Sequence, residues 1–188
     1  WGHGPTNEDL IDVAAGNYSV TVTDANGCVE TLDTTLGEPD PLAVEVTVTD
    51  VDCRGNGNGE ITTLVTGRVG AYSYEWSNGE TTDSVTSLDP GTYWVVVTDD
   101  NSCSAIELGI VVSQPDADLQ VVVDDSTNIS CNGGSDGSIA ITASGGNDDQ
   151  AYSYSWTNGA GTVEDPSGLS AGTYEVTVTD WKGCTANV

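Results

Sequence analysis

The sequence predicts an all-β fold: tandem immunoglobulin-like antiparallel Greek-key β-sandwiches, strung as beads on a rod. Three observations carry that expectation. Val, Thr, Gly, Asp and Ser dominate the 188 residues, and the β-branched runs alternate with polar positions at period two. Clusters of Gly, Asn and Asp break those runs at a spacing of about ten residues, with no stretch of helical periodicity between them. The chain also repeats itself at domain-sized intervals.

Segments 16–24 (GNYSVTVTD), 91–99 (GTYWVVVTD) and 172–180 (GTYEVTVTD) superimpose, and Cys28, Cys103 and Cys184 each follow four residues after the closing Asp. The steps from 16 to 91 and from 91 to 172 are too long for a solenoid turn and right for a small sandwich. Upstream, 71–79 (AYSYEWSNG) matches 151–159 (AYSYSWTNG), and Cys53 and Gly59 match Cys131 and Gly137. The expected units are therefore 1–38, the C-terminal part of a truncated repeat, and two complete repeats at 39–114 and 115–188. Trp1 precedes Gly16 as Trp76 precedes Gly91, so Trp1 to Gly4 read as the remnant of an aromatic strand. On that reading the chain is a window from a longer array, and the partner of Cys28 lies upstream.

Within the second unit the strands are expected at 43–49, 60–66, 72–77, 84–88, 92–98 and 104–112. Alternation puts Tyr93, Val95 and Val97 on one face of the fifth strand and Trp94, Val96 and Thr98 on the other. Segments 88–93 and 169–174 have the pattern of a tyrosine corner, in which the phenol bonds backbone across an arch, which assigns that role to Tyr18, Tyr93 and Tyr174. It also accounts for Tyr where Phe, absent from the chain, would serve a purely apolar role.

Thirty acids against three bases give a formal charge of −27. With only Arg54, Arg68 and Lys182 as cations, there is no electropositive surface for phosphates or anionic lipid, which excludes nucleic acid as a partner and direct membrane insertion. No apolar run reaches the roughly 18 residues of a spanning helix. No Ser/His/Asp set, phosphate loop or dinucleotide fingerprint appears, and the single His is His3, so the chain is not expected to be an enzyme. A unit of about 75 residues buries too little surface to be comfortable, and a covalent staple is the expected remedy. Cys53 with Cys103 and Cys131 with Cys184 are the natural pairs, with buried free thiols as the alternative. Such staples place the chain outside a reducing cytosol.

Segment 131–139 (CNGGSDGSI), the aromatic strand at 152–159, 169–174 (LSAGTY) and the TVTD strand ending in Gly183 and Cys184 together closely resemble the SprB repeat family, over essentially the whole chain. The resemblance implies tandem repeats of a very large cell-surface protein of Bacteroidota, associated with the outer membrane, of the kind that includes gliding-motility adhesins exported by type IX secretion. Two departures stand out: Asn58 where the third repeat has Asp136, and Ser102 where Gly27 and Gly183 stand.

Asp24, Asp99 and Asp180 close a strand before a tight turn, where an Asp side chain caps backbone amides as an Asx turn. The functional alternative is a Ca²⁺ site, formed by these residues and Asp136 with the linker acids Glu38, Asp40, Asp116 and Asp118, because a hard cation wants several carboxylate oxygens. Trp94 and Val96, and Trp181 in its hairpin turn, are candidate outward contacts, either for a neighbouring repeat or for surface polysaccharide or other surface proteins. The resulting expectation is a structural stalk of a secreted adhesin, its partners being neighbouring repeats. The alternatives are a binding module and a subunit of an extracellular filament.

Overall fold

The computed structural model describes residues 9–67 and 70–188, and within them every regular element is a β-strand. The expected strand remnant at Trp1 to Gly4 lies outside the described residues. The first unit contributes one hairpin, β1 (Gly16–Thr23) and β2 (Val29–Leu36), paired in unbroken register from Gly16↔Leu36 to Thr23↔Val29. Its apolar side chains Val22, Val29 and Leu32 are exposed.

The middle unit is a sandwich of two three-stranded antiparallel sheets. One has the order β3 (Ala43–Thr49), β4 (Gly59–Thr66), β6 (Ser84–Leu88), and the other β5 (Tyr72–Trp76), β7 (Gly91–Asp99), β8 (Ser104–Val112). Period-two alternation sorts the side chains: along β7, Val95 and Val97 are fully buried while Val96 between them is only half-buried. Ile61, Trp76, Val85, Val112 and these two valines form a core whose members are at most 4 % exposed. The Trp76 indole satisfies its N–H on the Thr82 carbonyl at 2.8 Å. Gly59 opens β4 where a Cβ would come within 2.6 Å of Val112 and 3.1 Å of the Leu88 carbonyl, so only glycine admits that close approach of the two sheets.

The third unit repeats this plan with shorter strands: β9 (Gln120–Thr127), β10 (Gly137–Ser144) and β12 (Ser167–Leu169) in one sheet, β11 (Ser153–Trp156), β13 (Val176–Thr179) and β14 (Thr185–Asn187) in the other. Ile141, Trp156, Val176 and Val178 make its own core, separate from the first. The Trp156 indole bonds the Val163 carbonyl at 2.8 Å, as Trp76 does its counterpart.

All three tyrosine corners form. The hydroxyls of Tyr93 and Tyr174 donate to the carbonyls of Asp89 and Ser170 at 2.8 and 2.9 Å, and Tyr18 donates to Ala14 in the same four-residue step. Burial, with the nearby Asp89 charge, pushes the Tyr93 phenol above its ordinary value. In the hairpin turns, the residue before each cysteine takes positive φ: Gly27 at 87°, Gly183 at 94° and Ser102 at 66°. Ser102 thus occupies a left-handed position that glycine fills in the other repeats.

Separate cores make a clear expectation. Ile61→Ala, at a site with no exposure, lowers the stability of the middle sandwich by about 2–5 kcal/mol. Val178→Ala acts on the other sandwich, and the double variant is additive to within about 0.5 kcal/mol in denaturant titrations. Strong coupling between the two changes would mean a shared interior.

Candidate functional site

Strand direction decides where each cysteine lies. In the middle sandwich β3 runs toward the loop 50–58, and β8 ends beside it, the Val51 amide donating to the Ser113 carbonyl at 2.9 Å. Cys53 therefore sits at the end from which the chain leaves for the next unit. Cys103 follows the turn after β7, which pairs Asp99 with Tyr72 at the opposite end. Along β7 the two ends are about 25 Å apart at roughly 3.3 Å per residue, far beyond the roughly 4.4–6.8 Å that a disulfide spans between Cα atoms. By the same topology Cys131, in the loop between β9 and β10, is at the far end of the last sandwich from Cys184.

The expected bridges Cys53–Cys103 and Cys131–Cys184 are accordingly corrected. Cys53 bonds Cys184, with Cα atoms 5.6 Å apart and 131 positions between them in sequence, and Cys28, Cys103 and Cys131 are thiols. The bridge joins two sandwiches instead of stapling one. On the chain-entropy model, a loop of this size removes about 5 kcal/mol of freedom from the unfolded chain.

A polar joint surrounds the bridge. Asn147 is its centre: its side-chain amide donates to the Asp52 carbonyl of the middle sandwich at 2.7 Å and to Oδ2 of Asp180 in its own at 2.8 Å. Its backbone amide donates to the same Oδ2 at 2.9 Å. The Cys184 sulfur lies 3.3 Å from the Asp52 carbonyl oxygen, a packing contact, because a half-cystine carries no proton. The linker is tied back as well: the Gly55 amide donates to Oε1 of Gln114 at 3.0 Å, the Ser113 amide to Asp50 at 2.7 Å, and Arg54 to the Asp116 carbonyl. Between the sandwiches a groove of about 480 Å³ remains open, walled by Asp50, Asp116, Asp148, Asp149 and Trp181 among others.

Two of the three basic residues in the chain are spent at this joint. Lys182 reaches across to Asp52 at 3.5 Å and lies over the Trp181 ring, 4.8 Å from its centroid. Arg54 holds the linker. An exposed ion pair is worth little by itself, but the Lys182–Asp52 pair sits where acids from both units come face to face. Trp181 is 45 % exposed and donates its indole N–H to Asp149, so its ring is a flank of the joint.

The Asp residues expected to cap turns do so. In each repeat one carboxylate oxygen accepts two backbone amides: Asp24 from Asn26 and Cys28 at 2.8 Å each, Asp99 from Asn101 and Cys103 at 2.9 and 2.8 Å, Asp180 from Lys182 and Cys184 at 3.0 and 2.9 Å. Asp136 accepts the Ser130 amide at 3.0 Å, and Asn58 accepts the Asp52 amide at 3.1 Å from the same loop position. Asn and Asp are thus interchangeable there as loop clamps, which explains the departure between the two repeats without a cation. Hydrogen bonding from Ser130 holds Asp136 below the usual carboxylate value, and the Cys28 amide does so for Asp24. Glu38 and Asp40 are exposed linker residues, and Asp118 places its carbonyl against Gly145. Among the described residues, no three His, Cys, Asp or Glu side chains converge as metal ligands.

Trp94 is half-buried beside the β-bulge that follows Tyr93. Sequence reading missed Asn147, Asp52 and Gln114. The only signal was the segment 145–150 (GGNDDQ), longer than its counterpart before Tyr72.

The SprB repeat family model matches residues 46–81 and 123–161, in each sandwich the stretch that contains the cysteine loop and the aromatic strand. No curated protein matches the chain.

Two outcomes are expected. Asn147→Ala removes the amide that ties both units, and the Cys53–Cys184 bridge is then reduced several-fold faster by a phosphine, read by thiol labelling. For Asp180, burial alone raises the carboxyl, but the bonds from Asn147, Cys184 and Lys182 outweigh it and hold it below 3.8. A depressed folded value means its stabilisation is present above pH 3.8 and is lost as the pH falls through that lower value. Asp180→Asn therefore flattens the acid limb of the melting temperature below about pH 4 relative to the parent.

Proposed function

We propose that this chain, which carries two SprB repeats, is a spacer segment of a large cell-surface adhesin, and that its work is reach. The observation that supports this reading best is the joint: two independent cores held end to end by a covalent bridge and a tied-back linker. A hinge meant to flex has no use for a bolt. The groove at the joint gathers four acids, Asp50, Asp116, Asp148 and Asp149, around linker residues that are already tied to the middle sandwich.

The family is a structural repeat family of surface proteins, and a covalent Cys–Cys link suits an oxidising compartment. No helix among the described residues is long and apolar enough to cross a membrane. The finer assignment is a gliding-motility adhesin exported by type IX secretion and displayed at the outer membrane, with no enzymatic role. Its partners are neighbouring repeats. Cys131 occupies in its loop the place that Cys53 holds, and Cys28 and Cys103 the place of Cys184. The same bolt is therefore available at further joints.

A second reading has one observation in its favour. Trp94 pairs across the sheet with Leu108, and Val96 with Ile106. Leu108 and Ile106 are 63 % and 56 % exposed, which makes an outward apolar strip where the last sandwich has Glu175 and Thr177. Such a strip suits a sugar ring or another surface protein. A change in tryptophan emission on adding surface polysaccharide, abolished by Trp94→Glu, would support it.

Small-angle scattering tests the spacer. The expected radius of gyration lies clearly above the about 16 Å of a compact chain of this length, with little change between pH 5 and 8. A value near 16 Å would remove the reading.

A further inference from the structure

We propose that the Cys53–Cys184 bridge is a mechanical shortcut, so that tension along the chain passes along β3 and across one covalent bond, and bypasses all the strands between the two cysteines. The proposal deepens the spacer reading and rests on it.

The path of the force follows from strand direction. Tension arriving from the first unit enters the middle sandwich at the start of β3 and runs along that strand to the loop that holds Cys53. The strand lies along the line joining the two ends of the sandwich and is already extended, so pulling has almost nothing to straighten. At Cys53 the load crosses one covalent bond to Cys184, at the near end of the next sandwich. It then leaves along β14 to the last residue.

Everything between the two cysteines lies outside that path. This includes β4 to β13, and hence Ile61, Trp76, Val95, Val97, Trp156, Val176 and Val178, which hold the two cores together. The hydrogen-bond ladder between β3 and β4 is not loaded either, because tension enters and leaves on β3 itself. Without the bridge, the same pull would have to pass through every strand in turn. The sandwiches would then open one after the other, as marginally stable domains do when their terminal strands are drawn apart. Asn147 and the linker contacts keep Asp52 and Cys184 together, so the short circuit is made at rest and not only under load.

The size of the effect is set by the length of chain removed from extension. Of 188 residues, 131 positions separate the bridged pair. At roughly 3.5 Å per extended residue, about 460 Å of contour is withheld.

Single-molecule force extension of the full chain, held by its two termini, tests this. The oxidised protein is expected to extend only through the segments outside the bridge. Dithiothreitol, which is oxidised to its cyclic disulfide while Cys53 and Cys184 each become thiols, is expected to release about 460 Å more and raise the full extension about threefold. The double variant Cys53→Ser/Cys184→Ser is expected to extend fully with or without reductant. If it does not fold, the parent chain with and without reductant still decides the matter. An oxidised chain that unfolds in steps the length of a whole sandwich overturns the shortcut. An elongated scattering profile together with that result leaves the spacer standing, whereas a compact profile removes the spacer itself.

Discussion

An antiparallel sandwich sends its first loop and its last hairpin turn to opposite ends, and in this molecule each of those two places carries a cysteine. A cysteine pair of that kind has no means of closing on itself across the length of the β-strands. It has to look outward. The Cys53–Cys184 bridge is the result, and the polar joint around it, the tied linker and the alignment of the two sandwiches all depend on that placement. The stability that a small sandwich obtains elsewhere from an internal staple must here come from its core, its tyrosine corner and its neighbour.

The charge distribution acquires a meaning in the same frame. A chain of net charge −27 has few cations to use, and Arg54 and Lys182 are both placed where two acidic units meet. Repulsion between units is screened within about 8 Å at physiological ionic strength, so only charges at the joint itself act strongly on its geometry. Apart from the buried Asp99 and Asp180, the other described acids are at least partly exposed to solvent. They favour solubility and discourage sideways association of exposed sheet edges.

Turn chemistry explains most of the conspicuous aspartates. A short carboxylate at the start of a tight turn meets two amides that would otherwise lack partners, and Asp24, Asp99 and Asp180 each use one oxygen in that way. Asp180 differs in what its second oxygen does: it takes both donors of Asn147 and so turns a local cap into part of the inter-unit joint. One residue position thus serves as plain turn chemistry in one repeat and as a structural hub in another, because the loop opposite it is longer.

The all-β class, the repeat period, most strand positions, the tyrosine corners and the Asx turns were legible in the order of residues alone. Each rests on local information: a two-residue alternation, a phenol four residues from its carbonyl, a carboxylate two and four residues from its amides. The partner of Cys53 was not of that kind. Pattern and loop length both allowed Cys103, and only the direction of β7, which carries the chain some 25 Å away before the turn, forbids it. Asn147 was equally silent, since its two acceptors, Asp52 and Asp180, lie 95 and 33 positions away and meet it only once two separately folded units are set end to end.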